Sequence, residues 1–76
     1  MTGTPMRTRF FELHGPQARD RLHRLGSALE EDGARVTLLA SRDEPDLYLL
    51  VAESDRAPAQ APPDGCRVWT FERVAG

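Results

Sequence analysis

A chain with one amphipathic helix and several strands that are apolar on both faces cannot cover all of its own hydrophobic surface. Residues 47–53 (LYLLVAE) put this chain in that position. Side chains alternate across a strand, so Leu47, Leu49 and Val51 point one way and Tyr48, Leu50 and Ala52 the other, and both rows are apolar. Residues 35–41 (RVTLLAS) repeat the pattern, with Val36, Leu38 and Ala40 opposed to Thr37, Leu39 and Ser41. In residues 66–74 (CRVWTFERV), Cys66, Val68 and Thr70 are opposed to Trp69 and Phe71.

The remaining segments supply one more strand and the single helix. Residues 7–13 (RTRFFEL) are β-compatible and stop at His14, Gly15 and Pro16, a turn signal. From residue 17 to 32, Ala18, Leu22, Leu25, Ala28 and Leu29 recur at helical spacing among Arg and Glu. Pro16 is expected in the first helical turn and Gly33 in the left-handed position beyond the last. Charge opposes the helix dipole, with Arg19 and Arg21 early and Glu30, Glu31 and Asp32 late, so this helix depends on packing its Leu stripe. Arg42, Asp43, Glu44, Pro45 and Asp46 read as a hairpin loop between the second and third strands.

Residues 54–65 (SDRAPAQAPPDG) hold three of the six prolines and read as a connecting loop. The order is therefore βαβββ. A helical crossover joins two parallel strands and leaves a slot between them for a third. The expected fold class is α+β, a ferredoxin-like four-stranded antiparallel sheet with one helix, over a single domain spanning residues 1–76. Residues 1–5 are expected to form a flexible tail.

Composition narrows the setting. At 76 residues, folding buries only about 60% of the chain's surface, which leaves a thin core. Ten basic residues, all Arg, against twelve acidic ones give a net charge of −2, which argues against a general polyanion binder or a polybasic membrane patch. The absence of Lys, Ile and Asn is the bias of GC-rich coding DNA, hence of a high-GC bacterium. A lone Cys66 closes no internal disulfide and suits a reducing cytoplasm. The longest apolar run, residues 47–52, is too short to span a bilayer, and the first residues lack a leader pattern, so a cytoplasmic, unprocessed chain is expected.

One helix covers one face of a sheet, so the second apolar face needs a partner, and a symmetric face-to-face dimer is the simplest one. Phe11, Tyr48, Leu50, Trp69 and Phe71 are the expected seam. The alternative is that the Pro-rich loop folds back over that face.

With these segments in hand, the chain resembles the antibiotic biosynthesis monooxygenase-like family, whose members are ferredoxin-like sheets paired face to face into a dimeric α/β barrel. The likeness lies in the helix with Leu22, Leu25 and Leu29, then Gly33, VTLLAS, the turn Asp43, Glu44, Pro45, Asp46, and LYLLVAES, and covers roughly residues 7–55. The resemblance implies a pocket between helix and sheet and a cofactor-independent oxygenase-like activity on an aromatic substrate, with Trp69, Tyr48 and His23 near it. The family's second helical segment, which often carries a pocket His, is replaced here by APAQAPPDG.

Other constellations weigh less. His14, His23 and Cys66 are the soft metal-ligand candidates but lie far apart in sequence, and no metal or cofactor is expected. Nothing near Cys66 marks it as a nucleophile, and no catalytic residue is assigned. Tyr48, Trp69, Phe71 and His23 are the candidate contacts for a small apolar or aromatic ligand. Arg7, Arg9, Arg67 and Arg73 alternate with Phe11, Trp69 and Phe71, which superficially suits an RNA-binding sheet; Arg residues flanking a seam and pairing with Glu12 or Glu72 are the plainer reading. The leading expectation is a homodimeric ligand-binding or accessory module without catalysis, followed by the oxygenase-like enzyme and then by the RNA-binding sheet.

Overall fold

The computed structural model describes residues 6–56, 61–72 and 74. The elements follow in the order β1 (Arg7–His14), α1 (Ala18–Glu31), β2 (Arg35–Ala40), β3 (Leu47–Ser54) and β4 (Arg67–Glu72). All neighbouring strands are antiparallel, in the spatial order β2-β3-β1-β4. β1 and β2 therefore run parallel with β3 in the slot between them, and α1 is the crossover that joins them, the expected α+β arrangement. The tail at residues 1–5, Arg73 and part of the Pro-rich loop, residues 57–60, lie outside the described residues.

Local chemistry sets the element ends. Gly15, at φ +133°, turns the chain out of β1, and its N–H donates to the Asp46 carbonyl at 2.9 Å, so the β1–α1 turn is tied to the β2–β3 loop. Pro16 lies in this turn rather than in the first helical turn, and α1 begins without a side-chain cap. The C-terminus is better finished. Gly33, at φ +96°, donates to the Glu30 carbonyl and Ala34 to the Leu29 carbonyl, both at 2.9 Å, the paired bonds of a Schellman motif. No basic residue occupies the last turn, so the dipole is opposed at that end as the sequence suggests.

The β2–β3 hairpin closes through the Ser41 N–H on the Leu47 carbonyl at 2.9 Å, and Ser41 Oγ accepts from the Glu44 N–H at 3.0 Å. Asp46 takes the left-handed conformation, φ +60°, that Asp tolerates better than most residues.

The core forms between α1 and one face of the sheet. Leu22 and Leu50 are fully buried, with Phe11, Leu13, Leu25, Leu29 and Ala52 around them. Register fixes that face: Phe11 lies opposite Leu50, Leu13 opposite Tyr48, and Val36 and Leu38 opposite Ala52 and Leu50. The helix packs on β1, β2 and β3 but not on β4, whose residues are all exposed.

The helical stripe departs from expectation at one position. Gly26 is buried and Ala28 only half-buried. A Cβ at residue 26 would stand 3.2 Å from Leu50 Cδ1 and 3.7 Å from Val36 Cγ2, so this glycine sets how closely helix and sheet approach. Gly26→Leu is expected to destabilise the fold by about 1–3 kcal/mol through overpacking. Gly26→Ala should fall within about 1 kcal/mol of the parent, because a helix-propensity gain of that size offsets a contact that a Leu methyl can yield to. Urea midpoints at constant m-value measure both.

Candidate functional site

The sheet face away from α1 carries Thr8, Phe10 and Glu12 from β1, Leu49 and Val51 from β3, Leu39 from β2, and Trp69 and Phe71 from β4. Cross-strand register sets the neighbours: Phe10 lies between Val51 and Trp69, and Glu12 between Leu49 and Arg67. Leu39 is 46%, Trp69 40% and Phe71 54% exposed, although all three are large and apolar. Single exposed apolar residues are ordinary; a contiguous row on one face is not.

The β1–β4 half of this face is concave. Thr8, Phe10, Glu12, Leu49, Trp69 and Phe71 line an open groove of about 620 Å³. Its shape comes from the aromatic side chains. The rings of Phe10 and Phe71 meet edge to face, with centroids 5.3 Å apart and planes at 80°, which fixes one wall. The Arg67 guanidinium lies 5.4 Å from the Trp69 ring centroid, and Arg67 Nη1 is 3.9 Å from Glu12 Oε1. The polar groups of the lining are the Thr8 hydroxyl and the Glu12 carboxyl.

The structure gathers only part of the predicted set here. Trp69 and Phe71 share the groove. Phe11 and Leu50 are buried under α1, and Tyr48 is half-buried on that same side, so these three are not on the open face. His23 is exposed on α1, across the sheet from the groove. The groove residues that sequence reasoning missed are Phe10, Glu12, Leu49 and Thr8, with Leu39 and Val51 beside them. The basic strand residues separate too. Arg7, Arg9 and Phe11 share the helix side, whereas Arg67, Trp69 and Phe71 share the open side, because Phe10 rather than Phe11 pairs with Trp69. A single RNA-stacking surface does not form from them. Arg7 Nε instead donates to Glu72 Oε1 within the chain at 2.8 Å, an exposed pair of small energetic weight.

The metal-ligand candidates also lie apart. His14 Nε2 donates to the Pro45 carbonyl at 3.1 Å and braces the hairpin loop. Cys66 packs against the core on the helix side. Among the described residues no group of three or more His, Cys, Asp or Glu is arranged to hold a metal ion. The described ends of the Pro-rich loop attach on the helix side as well: Arg9 Nη1 donates to the Arg56 carbonyl at 3.3 Å, and the Cys66 N–H donates to the Pro63 carbonyl at 3.2 Å. No helix among the described residues is long and apolar enough to cross a membrane.

No family model and no curated protein matches the sequence. Among solved structures, the fold is similar to a conserved protein of unknown function from Bacteroides thetaiotaomicron VPI-5482, described as a possible oxidoreductase. The TM-score is 0.58 at 13% identity, and the match covers 93% of this chain and 100% of that one. At that identity the likeness shows a shared small α+β fold.

Burial raises the Cys66 thiol pKa above its ordinary value; nearby Arg21 opposes the shift and Glu12 adds to it. A raised thiol is a poor nucleophile. Iodoacetamide at pH 8 should alkylate native Cys66 severalfold more slowly than the urea-unfolded chain; equal rates would contradict its burial. The sign for stability follows: the folded state holds this proton more tightly, so the contribution is intact below the ordinary thiol pKa and declines as pH rises past it.

Proposed function

We propose that this chain is a small module that pairs face to face with a second copy and holds a small apolar or aromatic ligand in the groove at the seam. It reads as a shortened relative of the antibiotic biosynthesis monooxygenase-like family, working in a reducing cytoplasm that suits the unpaired Cys66. The observation that carries the proposal is that Leu39, Trp69 and Phe71 are each at least 40% exposed on a sheet face without a helix.

Size supports it. Four strands about 4.8 Å apart, with six to eight residues at about 3.3 Å each, present a face of roughly 450 Å² in projection. Side-chain relief enlarges that area, and covering two copies removes on the order of 1,000–1,500 Å², within reach of a specific interface. Leu39, Leu49 and Val51 supply the flatter contact, and the groove beside them supplies the cavity. A mostly apolar lining with two polar groups is the usual make-up of a small-molecule site.

The solved neighbour's description as a possible oxidoreductase favours a second reading, an oxygenase-like activity on an aromatic substrate. In this chain the substrate would lie on Phe10, Trp69 and Phe71, because Tyr48 and His23 are on the other side of the sheet.

Sedimentation equilibrium tests the assembly. The parent is expected to be a dimer at micromolar concentration. Leu39→Glu and Phe71→Glu should each weaken association at least 100-fold while retaining the parent's far-ultraviolet circular dichroism, because both side chains are exposed in the protomer. A parent that stays monomeric, or unchanged association in both variants, would refute the proposed seam.

A further inference from the structure

The groove is lined by Phe10, Trp69, Phe71 and the Glu12 carboxylate, with Thr8 and Leu49 beside them. Three aromatic rings and a carboxylate are the surroundings that favour an organic cation, since ring faces are negative and a carboxylate completes the pairing. The chain places its own planar cation at the groove's rim: Arg67, on edge strand β4, holds its guanidinium 5.4 Å from the Trp69 centroid. Its closest approach to Glu12, 3.9 Å, is beyond hydrogen-bonding distance. The Arg67 side chain is 74% exposed and that of Glu12 31%. Glu12 is thus a half-buried carboxylate on a central strand, flanked by Leu49 and Phe10, and its charge partner is loose.

We infer that the groove is a site for a small organic cation with a flat apolar body, an aryl-ammonium or aryl-amidinium class of ligand, in which Arg67 occupies the cation's place until the ligand displaces it. The apolar body lies on Phe10 and Phe71, the cationic head sits between the Trp69 ring and the Glu12 carboxylate, and Arg67 swings out to solvent. This names the ligand class of the groove in the preceding reading and rests on that groove, though not on the second copy.

Trp69 is the chain's single tryptophan, so its fluorescence reports on the site directly. Three naphthalene probes of similar size separate charge from shape: 2-naphthylmethylammonium, 2-naphthalenemethanol and 2-naphthoate, each titrated into the full chain at fixed ionic strength. The ammonium is expected to bind at least tenfold more tightly than the alcohol and more tightly still than the carboxylate. Glu12→Gln, a conservative change at a half-buried position, should bring the ammonium within about twofold of the alcohol. Arg67→Ala should tighten ammonium binding severalfold, because it removes the internal competitor.

Equal binding of all three probes, a preference for the carboxylate, or weaker ammonium binding in Arg67→Ala would overturn the cation assignment while leaving an apolar groove in place. Binding of none of the probes would overturn both the assignment and the ligand-binding reading beneath it. Sedimentation of the same samples reads the assembly separately, so a monomer that still prefers the ammonium would remove the dimer and sustain the cation site.

Discussion

A single helix shields one side of a four-stranded sheet, and everything distinctive about this protein follows from that shortage of cover. The helix lies over β1, β2 and β3 and stops short of β4, so β4 is exposed along its whole length. The centre of the covered side is nonetheless tightly buried: Leu22 and Leu50 are closed off from solvent, and Gly26 lets the backbone of α1 come close above Leu50. In a chain this small, that is most of the core available, and little else can offset the entropy of ordering the backbone.

The uncovered side is not the polar surface that usually balances such a layer. Antiparallel sheets with one wet face alternate apolar and polar residues, whereas here the outward row keeps Phe10, Leu39, Leu49, Trp69 and Phe71. Within that row Glu12 and Arg67 face each other across β1 and β4. A charge pair among aromatic side chains orients a ligand or a partner better than an unbroken oily face would, because misplaced charges are costly away from water.

Much of the architecture was legible from residue pattern. The helix was marked by its Leu spacing and by Gly33, and the hairpin by the acidic Pro turn. The Schellman bonds at residues 33 and 34 show why Gly33 was a dependable signal. What pattern did not settle was which row of each strand meets the helix. In β3 both rows are apolar, so pattern alone places Tyr48 and Leu50 at the seam, whereas they lie beneath α1. The information was in the neighbours: Val36, Leu38 and Ala40 form a purely apolar row in β2, while the other row holds Thr37 and Ser41. In β1, Phe11 and Leu13 bracket Glu12, which marks their row as the inward one. Register carries that preference onto Leu50 and Ala52 and sends Phe10 and Leu49 outward. Gly26 escaped notice because a glycine inside a helical pattern looks like a cost, and its value appears only once the distance to Leu50 is known.

The central claim is that the outward face is covered in solution by a second copy of the chain. The emission maximum of Trp69, followed from tens of micromolar to nanomolar protein, reads this at the residue concerned. A blue-shifted maximum at high concentration that moves to longer wavelength on dilution is the result expected of a seam that opens. A maximum at the position of a solvated indole, unchanged across the whole range, would mean that the face stands bare and that the account of its cover is wrong.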